Sequence, residues 1–313
     1  MAKPLEYNAT LVERVDLTSA LTIFKIRPDE PLAGEPAFVP GQYVTLGMNN
    51  EAHPDLGSVR RPMSIASAPE ERGHLEFYIR WVKHPESDNP LTHLLWRAGA
   101  GDRLFLRPKA VGKFTLPGTV GDGDPRLAVM VAAGTGLAPF LSIVRSELQR
   151  DPSADLSRYG ILHGASYPVD LGYRGELEAM RDRNGLRYLC TVSRPGEAKD
   201  WTGDVGRVED YFKAERIAAL EGELDLPPGG LEPTRSTILI CGLQGTIGET
   251  IKRTLDRGFV PENRKLRRAL EVPEGTEASL FFEQYDMVPV IPIDDAELMD
   301  QLRRRLRAGL AAT

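Results

Sequence analysis

The stretch Val129–Ser146, VMVAAGTGLAPFLSIVRS, decides how this chain is read. It opens on an apolar run of strand length, turns through Gly134-Thr135-Gly136, and goes on with apolar residues at helical spacing. A continuous apolar run suits a strand buried on both faces, as in a parallel sheet. Glycines at a strand–helix turn let a phosphate approach the backbone, and the helix N-terminus adds free amides and a favourable dipole. Pro139 stands where the third glycine of a G-x-G-x-x-G pattern would fall. The same residues also read as an ordinary tight turn.

Downstream the rhythm repeats. YGILHGAS, RYLCTVS and STILICG read as strands, and ELEAMRDR, VEDYFKAERIAAL and IGETIKRTLDRG as the helices among them. Strands alternating with helices imply a parallel sheet covered on both faces. The Pro- and Gly-rich GELDLPPGGLEPTRS, Gly222–Ser236, reads as an exposed excursion.

Upstream, residues 5–116 are different. LEYNATLVERVDL, ALTIFKIRP, GQYVTLGM, SIASAP, HLEFYIRWVK and DRLFLRP are short β-rich runs broken by Gly and Pro. They imply a small antiparallel barrel. One helical turn interrupts them at NPLTHLLWRAG, with Asn89 as cap and Pro90 at the first helical position. The loop PGTVGDGDPR, Pro117–Arg126, separates the two patterns. The expected organisation is a two-domain fold: an antiparallel β-barrel over residues 1–120, an α/β parallel-sheet, Rossmann-like domain over 121–286, and an extension over 287–313.

Composition narrows the function. A length of 313 residues with 41% hydrophobic and 27% charged residues fits two globular domains. A formal charge of −6 argues against nucleic-acid binding as the main task. Two cysteines, Cys190 and Cys241, cannot supply a four-cysteine iron–sulfur or zinc site in this chain. His53, His74, His84, His93 and His163 lack metal-ligand spacing, so no metal is expected. With no signal peptide and no apolar run of membrane-spanning length, the expected location is cytoplasmic, away from membranes.

The segment RRPMSIASAP, Arg60–Pro69, sets arginines beside small hydroxyl residues, as for an anion held next to a sheet, or as an ordinary strand with a solvated basic start. Taken in order, RPMSIAS, GKFTL, GTGLAP, ICG and FFEQYD resemble the ferredoxin–NADP reductase family over residues 5–286, most of all the bacterial ferredoxin/flavodoxin–NADP reductases. The resemblance implies that the barrel binds FAD and the second domain NADP(H). Arg61 would then bind the flavin pyrophosphate and Ser64 would lie near flavin N5. Met63 takes the place of the family's tyrosine against one flavin face. Tyr78, Ile79 and Arg80 would meet the ribityl and phosphate groups, with Thr92 as a further pyrophosphate-binding hydroxyl.

For the nucleotide, Gly134, Thr135 and Gly136 would form the phosphate turn. Ser193, Arg194 and Arg207 would grip the adenosine 2′-phosphate. An additional arginine of some relatives is replaced near Ser166, and Glu197 stands nearby, which keeps NADH open beside NADPH. Cys241 would lie beside nicotinamide C4. Glu283 would hydrogen-bond toward Ser64 and carry protons, and Tyr285 would stack on the exposed flavin face.

The implied activity is that of an FAD-dependent ferredoxin/flavodoxin–NADP(+) reductase, an oxidoreductase. Arg264, Lys265, Arg267 and Arg268 of ENRKLRRAL read either as a solvated basic helix or as a docking patch for ferredoxin or flavodoxin. The alternatives are the NAD(P)H-dependent reductase component of an oxygenase, a free-flavin reductase, and a non-catalytic flavoprotein subunit.

The resemblance stops at Asp286. In MVPVIPIDDAELMDQLRRRLRAGLAAT, Leu298, Leu302, Leu306 and Leu310 recur every four residues and predict an amphipathic helix capped by Asp294 or Asp295. The expectation is a tail that crosses the flavin domain, shields the adenine end of FAD, and docks on its own chain or on a second subunit.

Overall fold

The structure is a computed structural model and describes residues 4–121, 123–197 and 200–312, without the side chain of Glu197. The nicotinamide-specificity argument from Glu197 therefore lies outside the described residues. The chain forms two compact units: residues up to Gly118 with Ala138–Pro152, and Thr119–Leu137 with Ser153 onward.

The first unit contains β1 (Ala9–Thr18), β2 (Leu21–Pro28), β3 (Tyr43–Asn49), β4 (Ser58–Ser64), β5 (Leu75–Arg80), the short helix α1 (Leu91–Leu95) and β6 (Arg103–Leu106). A four-residue turn of helix, α2 (Leu116–Thr119), follows. The strands pair antiparallel in the order β4-β3-β6-β1-β2-β5. Just beyond β4, the Ala66 amide donates to the Glu76 carbonyl of β5 at 2.8 Å, which curls the two outer strands together as in a small barrel. Leu11, Phe24, Ile26, Val44, Leu46, Phe77, Leu104 and Leu106 fill its core.

Two local expectations change here. The strand is SVRRPMS, so the arginines lie in β4 and most of SIASAP follows it. The helix α1 starts at Leu91 with Pro90 at the N-cap. Asn89 does not cap it, because its side chain is buried and occupied by the Asn50 amide and the Leu56 carbonyl.

The second unit carries β7 (Leu127–Ala133), β8 (Tyr159–Ala165), β9 (Arg187–Val192), β10 (Asp204–Val205), β11 (Ser236–Gly242) and β12 (Leu280–Gln284). They form a parallel sheet in the order β10-β9-β8-β7-β11-β12. The first strand lies between β8 and β11, so successive connections run in opposite directions from β7. That is the topological switch point, where open α/β sheets bind ligands beyond the carboxyl ends of the strands.

A tight 3-10 turn, Gly134–Leu137, links β7 to α3 (Ala138–Arg150). The sequence division places α3 with the parallel sheet, but its contacts group it with the first unit. Ser142 donates to the Ser67 carbonyl at 2.7 Å, Arg145 pairs with Glu76 at 2.7 Å, and Arg150 pairs with Glu70 at 2.7 Å. Side chains, rather than the order of elements, decide which unit a helix joins.

The other helices are α4 (Arg174–Asn184), α5 (Ile217–Glu223), α6 (Gln244–Thr254), α7 (Arg264–Ala269) and α8 (Ala296–Ala312). VEDYFKAERIAAL is not one helix: Val208–Phe212 is a 3-10 turn and α5 begins only at Ile217. GELDLPPGGLEPTRS is exposed only in part. Leu224 and Leu231 are fully buried, and the buried Glu221 carboxylate accepts from the Gly229 and Leu231 amides and binds Arg257.

The tail forms α8, with Asp295 accepting from the Leu298 amide at 3.0 Å as its cap. Met299, Leu302 and Leu306 enter the core of the second unit beside Leu255 and Phe259. Gly309 lets the helix lie against the chain at Leu255 and Gly258, since a Cβ there would overlap that backbone. Arg303 donates to the Ala269 carbonyl, while Arg305 and Arg307 pair with Asp256 and Glu271. The tail docks on the second unit and is part of its core, in place of the expected path across the flavin domain.

Candidate functional site

The residues singled out by sequence fall into two groups, one in each unit. In the first, Arg61, Met63 and Ser64 stand on β4 opposite Leu46, Val44 and Tyr43 of β3. Arg61 is exposed and spends one N–H on the Arg60 carbonyl at 2.9 Å. Met63 is half-buried against the barrel core. Tyr78 and Ile79 are buried on β5 and Arg80 ends that strand half-buried. Thr92 is buried in α1, with its hydroxyl in reach of the Val82 amide at 3.4 Å.

In the second unit the turn after β7 meets the end of β11. Gly134 has φ +55°, a left-handed conformation that favours glycine. Gly136 packs so closely on the Cys241 carbonyl that no side chain fits. Cys241 is fully buried and opposite Glu283 in the β11–β12 register. Burial pushes its thiol well above the ordinary range, the Glu283 charge adds to that, and a hydrogen bond with Tyr285 opposes it. The thiol stays protonated near neutrality and is not a nucleophile.

Tyr285 follows β12. Its amide donates to the Gly242 carbonyl at 3.1 Å, and its hydroxyl lies 3.4 Å from the Thr135 carbonyl oxygen. The residue is 44% exposed although both its amide and its hydroxyl have partners. Thr135, Cys241, Glu283 and Tyr285, which are far apart in sequence, thus share the carboxyl end of β7, β11 and β12.

Ser193 and Arg194 lie just beyond β9, both exposed, with their amides on the Ala165 and Ser166 carbonyls. Arg207 opens the Val208–Phe212 turn with its side chain 71% exposed. Ser193 and Arg194 therefore follow β9, and Arg207 follows its parallel neighbour β10. On α7, Arg264, Lys265 and Arg268 are exposed, but Arg267 is turned inward to the Pro261 and Thr276 carbonyls. A docking surface there has three cations, not four. Among the described residues no cluster has the makings of a metal site, and no helix is long and apolar enough to cross a membrane.

Of two further buried ionisable residues, the sequence marks His163 only as a structural or surface histidine and does not single out Glu209. His163 is fully buried in β8, with Nδ1 3.2 Å from the Tyr188 hydroxyl. Burial lowers its pKa to about 4, against an opposing hydrogen bond with the Gly134 backbone. Glu209, two residues after Arg207, is 2% exposed. A carboxylate next to an expected phosphate-binding arginine was visible in GRVED; that it is buried was not.

The family model of an oxidoreductase NAD-binding domain matches residues 130–251. Ferredoxin–NADP reductase B of Sorangium cellulosum is 33% identical over 233 residues, covering 73% of this chain and 82% of its own. The phenol hydroxylase P5 protein of Acinetobacter pittii is 28% identical over 240 residues, covering 75% of this chain and 62% of its own. Among solved structures, a ferredoxin NADP+ reductase from Neisseria gonorrhoeae with bound FAD and NADP superposes with a TM-score of 0.68. It is 22% identical and the match covers 88% of this chain and 97% of that one, a likeness of fold.

Proposed function

The chain belongs to the ferredoxin–NADP reductase family, and from that premise we propose that it is an FAD-dependent oxidoreductase that transfers electrons between NADP(H) and a protein carrier. The observation that carries the reading is the meeting of Gly136, Cys241 and Tyr285 at the switch point of the parallel sheet.

The donor set of the first unit fits a flavin dinucleotide. Arg61 offers an exposed guanidinium fork for a pyrophosphate, and β5 and α1 add Arg80 and Thr92. Ser64 would supply a hydroxyl to the flavin ring and the half-buried Met63 apolar surface, while Tyr78 and Ile79 are packed into β5. FAD bound there supplies hydride exchange at N5 and single-electron exchange with a carrier.

The second unit binds and orients the nucleotide. The Gly134–Gly136 turn leaves room for the pyrophosphate next to backbone amides. Ser193, Arg194 and Arg207 take the adenosine 2′-phosphate by charge and hydrogen bonding. Cys241, neutral and buried beside Tyr285, would meet the nicotinamide once Tyr285 gives way. Tyr285 occupies the place of the nicotinamide ring until the ring displaces it. Glu283, beside Cys241, holds a proton-accepting carboxylate at the same strand ends.

Ferredoxin or flavodoxin is the proposed carrier, drawn to Arg264, Lys265 and Arg268 by charge. The similarity to a phenol hydroxylase component supports a second reading, the reductase of an oxygenase. Two cysteines cannot hold a four-cysteine cluster, so an iron–sulfur cluster that takes part in the reaction lies outside these residues. The test is anaerobic stopped-flow: bound flavin, identified as FAD after release, is reduced by NADPH and reoxidised by ferredoxin or flavodoxin. A folded protein without flavin, or flavin that NADPH does not reduce, overturns the proposal.

A further inference from the structure

Glu209 is a buried carboxylate with an unserved oxygen. Its Oε1 lies 3.7 Å from Arg207 Nη1, and its Oε2 has no hydrogen-bond partner among the described residues. A buried polar atom in that condition is costly and uncommon, more so when it belongs to a charged group.

The surrounding structure keeps Glu209 where it is. Arg253 donates to the Glu209 carbonyl at 2.6 Å and to Asp210 at 2.9 Å. Val208 packs into the gap above Gly164, where a Cβ would come within 2.7 Å of it. The nearby guanidinium of Arg253 is therefore spent on the backbone and on Asp210. Among the described residues only Arg207 forms an ion pair with Glu209. Arg207 itself is 71% exposed and reaches within 3.9 Å of the Cβ position of Gly245, at the start of α6. One guanidinium thus stands between a fixed buried anion and solvent.

Two nucleotides differ at this point in one chemical respect. A ribose 2′-hydroxyl is uncharged, and the buried Glu209 oxygen lies out of its reach. A 2′-phosphate brings negative charge to a guanidinium already paired with Glu209. We propose that Glu209 is a specificity-determining residue: its charge weighs against the 2′-phosphate at Arg207 and holds the preference for NADPH over NADH low. The inference rests on the proposed placement of the adenosine ribose at Arg207.

The test is Glu209→Gln in the full-length, FAD-loaded protein, which keeps the shape and removes the charge. Binding of 2′-phospho-AMP and of AMP is measured by calorimetry, and kcat/KM is measured for NADPH and NADH. The expected result is 2′-phospho-AMP bound roughly tenfold more tightly, as removal of one nearby charge in partly screened surroundings implies. AMP binding stays nearly equal, and the NADPH-to-NADH ratio of kcat/KM rises by a similar factor, mainly through KM. An unchanged or falling ratio overturns the inference. Arg207→Ala separates the two levels. If it affects 2′-phospho-AMP and AMP alike, or affects neither, the 2′-phosphate is not at Arg207 and the underlying reading fails. If it weakens 2′-phospho-AMP alone while Glu209→Gln changes nothing, only the role of Glu209 fails. Glu209→Thr is the second variant; should both variants fail to fold, the carboxylate is structural and the proposal falls.

Discussion

Gly136 lies against the carbonyl of Cys241 so closely that a Cβ on the glycine would overlap the carbonyl oxygen. The contact joins the turn after β7 to the end of β11 and leaves no flexible atom to yield. Gly136→Ala must therefore shift the backbone of one strand end. The expected cost is about 1–3 kcal/mol of stability in the second unit, with nucleotide affinity falling too. Thermal unfolding and titration with 2′-phospho-AMP measure both; an alanine variant that matches the parent in each shows that the contact is not tight.

Arg194 is exposed beyond β9, with no carboxylate partner among the described residues. A phosphate contact there is charge-assisted, so Arg194→Ala should lose roughly 1.5–3 kcal/mol of NADPH binding and leave NADH nearly unchanged. Steady-state KM values for the two nucleotides decide the matter. Equal losses mean that Arg194 does not meet the 2′-phosphate.

The Tyr285 amide donates to the Gly242 carbonyl and its hydroxyl lies near the Thr135 carbonyl, at the strand ends where the nicotinamide is proposed to arrive. Removing the occupant removes its competition. Tyr285→Ser should bind oxidised NADP+ more tightly and turn over more slowly through delayed release. Unchanged affinity and unchanged long-wavelength absorbance with NADP+ would place the ring elsewhere.

His163 carries a pH dependence. Its folded pKa is about 4 against an ordinary 6.5, because burial disfavours the imidazolium. Between those values the unfolded chain takes up a proton that the folded chain refuses. Stability is therefore full above about pH 6.5 and falls as the pH drops toward 4, by up to about 3 kcal/mol from this residue. His163→Gln should flatten the slope of urea-unfolding free energy between pH 4.5 and 6.5. A variant as pH-sensitive as the parent removes His163 as the cause.

The tail is structural. Leu306 is 1% exposed in the core of the second unit, so Leu306→Ala should cost about 2–5 kcal/mol. Truncation after Asp286 should expose that core and lower the melting temperature of the second unit. Truncation with no thermal effect would show that α8 adds nothing to it.

The barrel and the parallel sheet were legible in the sequence because each depends on local patterning. Apolar runs such as LAVMVAA and STILICG are buried on both faces, and their periodicity announces it. Motif order led to the family for a similar reason: the Gly134–Gly136 turn and the Glu283–Tyr285 end are short stretches whose spacing survives in one dimension. The tertiary structure alone decided the rest. Asn89 left its expected cap for Asn50, because a buried side-chain pair outweighs a solvated helix end. GELDLPPGGLEPTRS folded inward around Glu221, whose partners lie up to 36 residues away. The helix after the glycine turn joined the first unit through Ser67, Glu70 and Glu76, and α8 entered the second. The burial of Glu209 beside an exposed Arg207 belongs to the same class. Composition and periodicity report what a segment prefers by itself; which long-range partner takes its polar atoms is fixed only when the chain is packed.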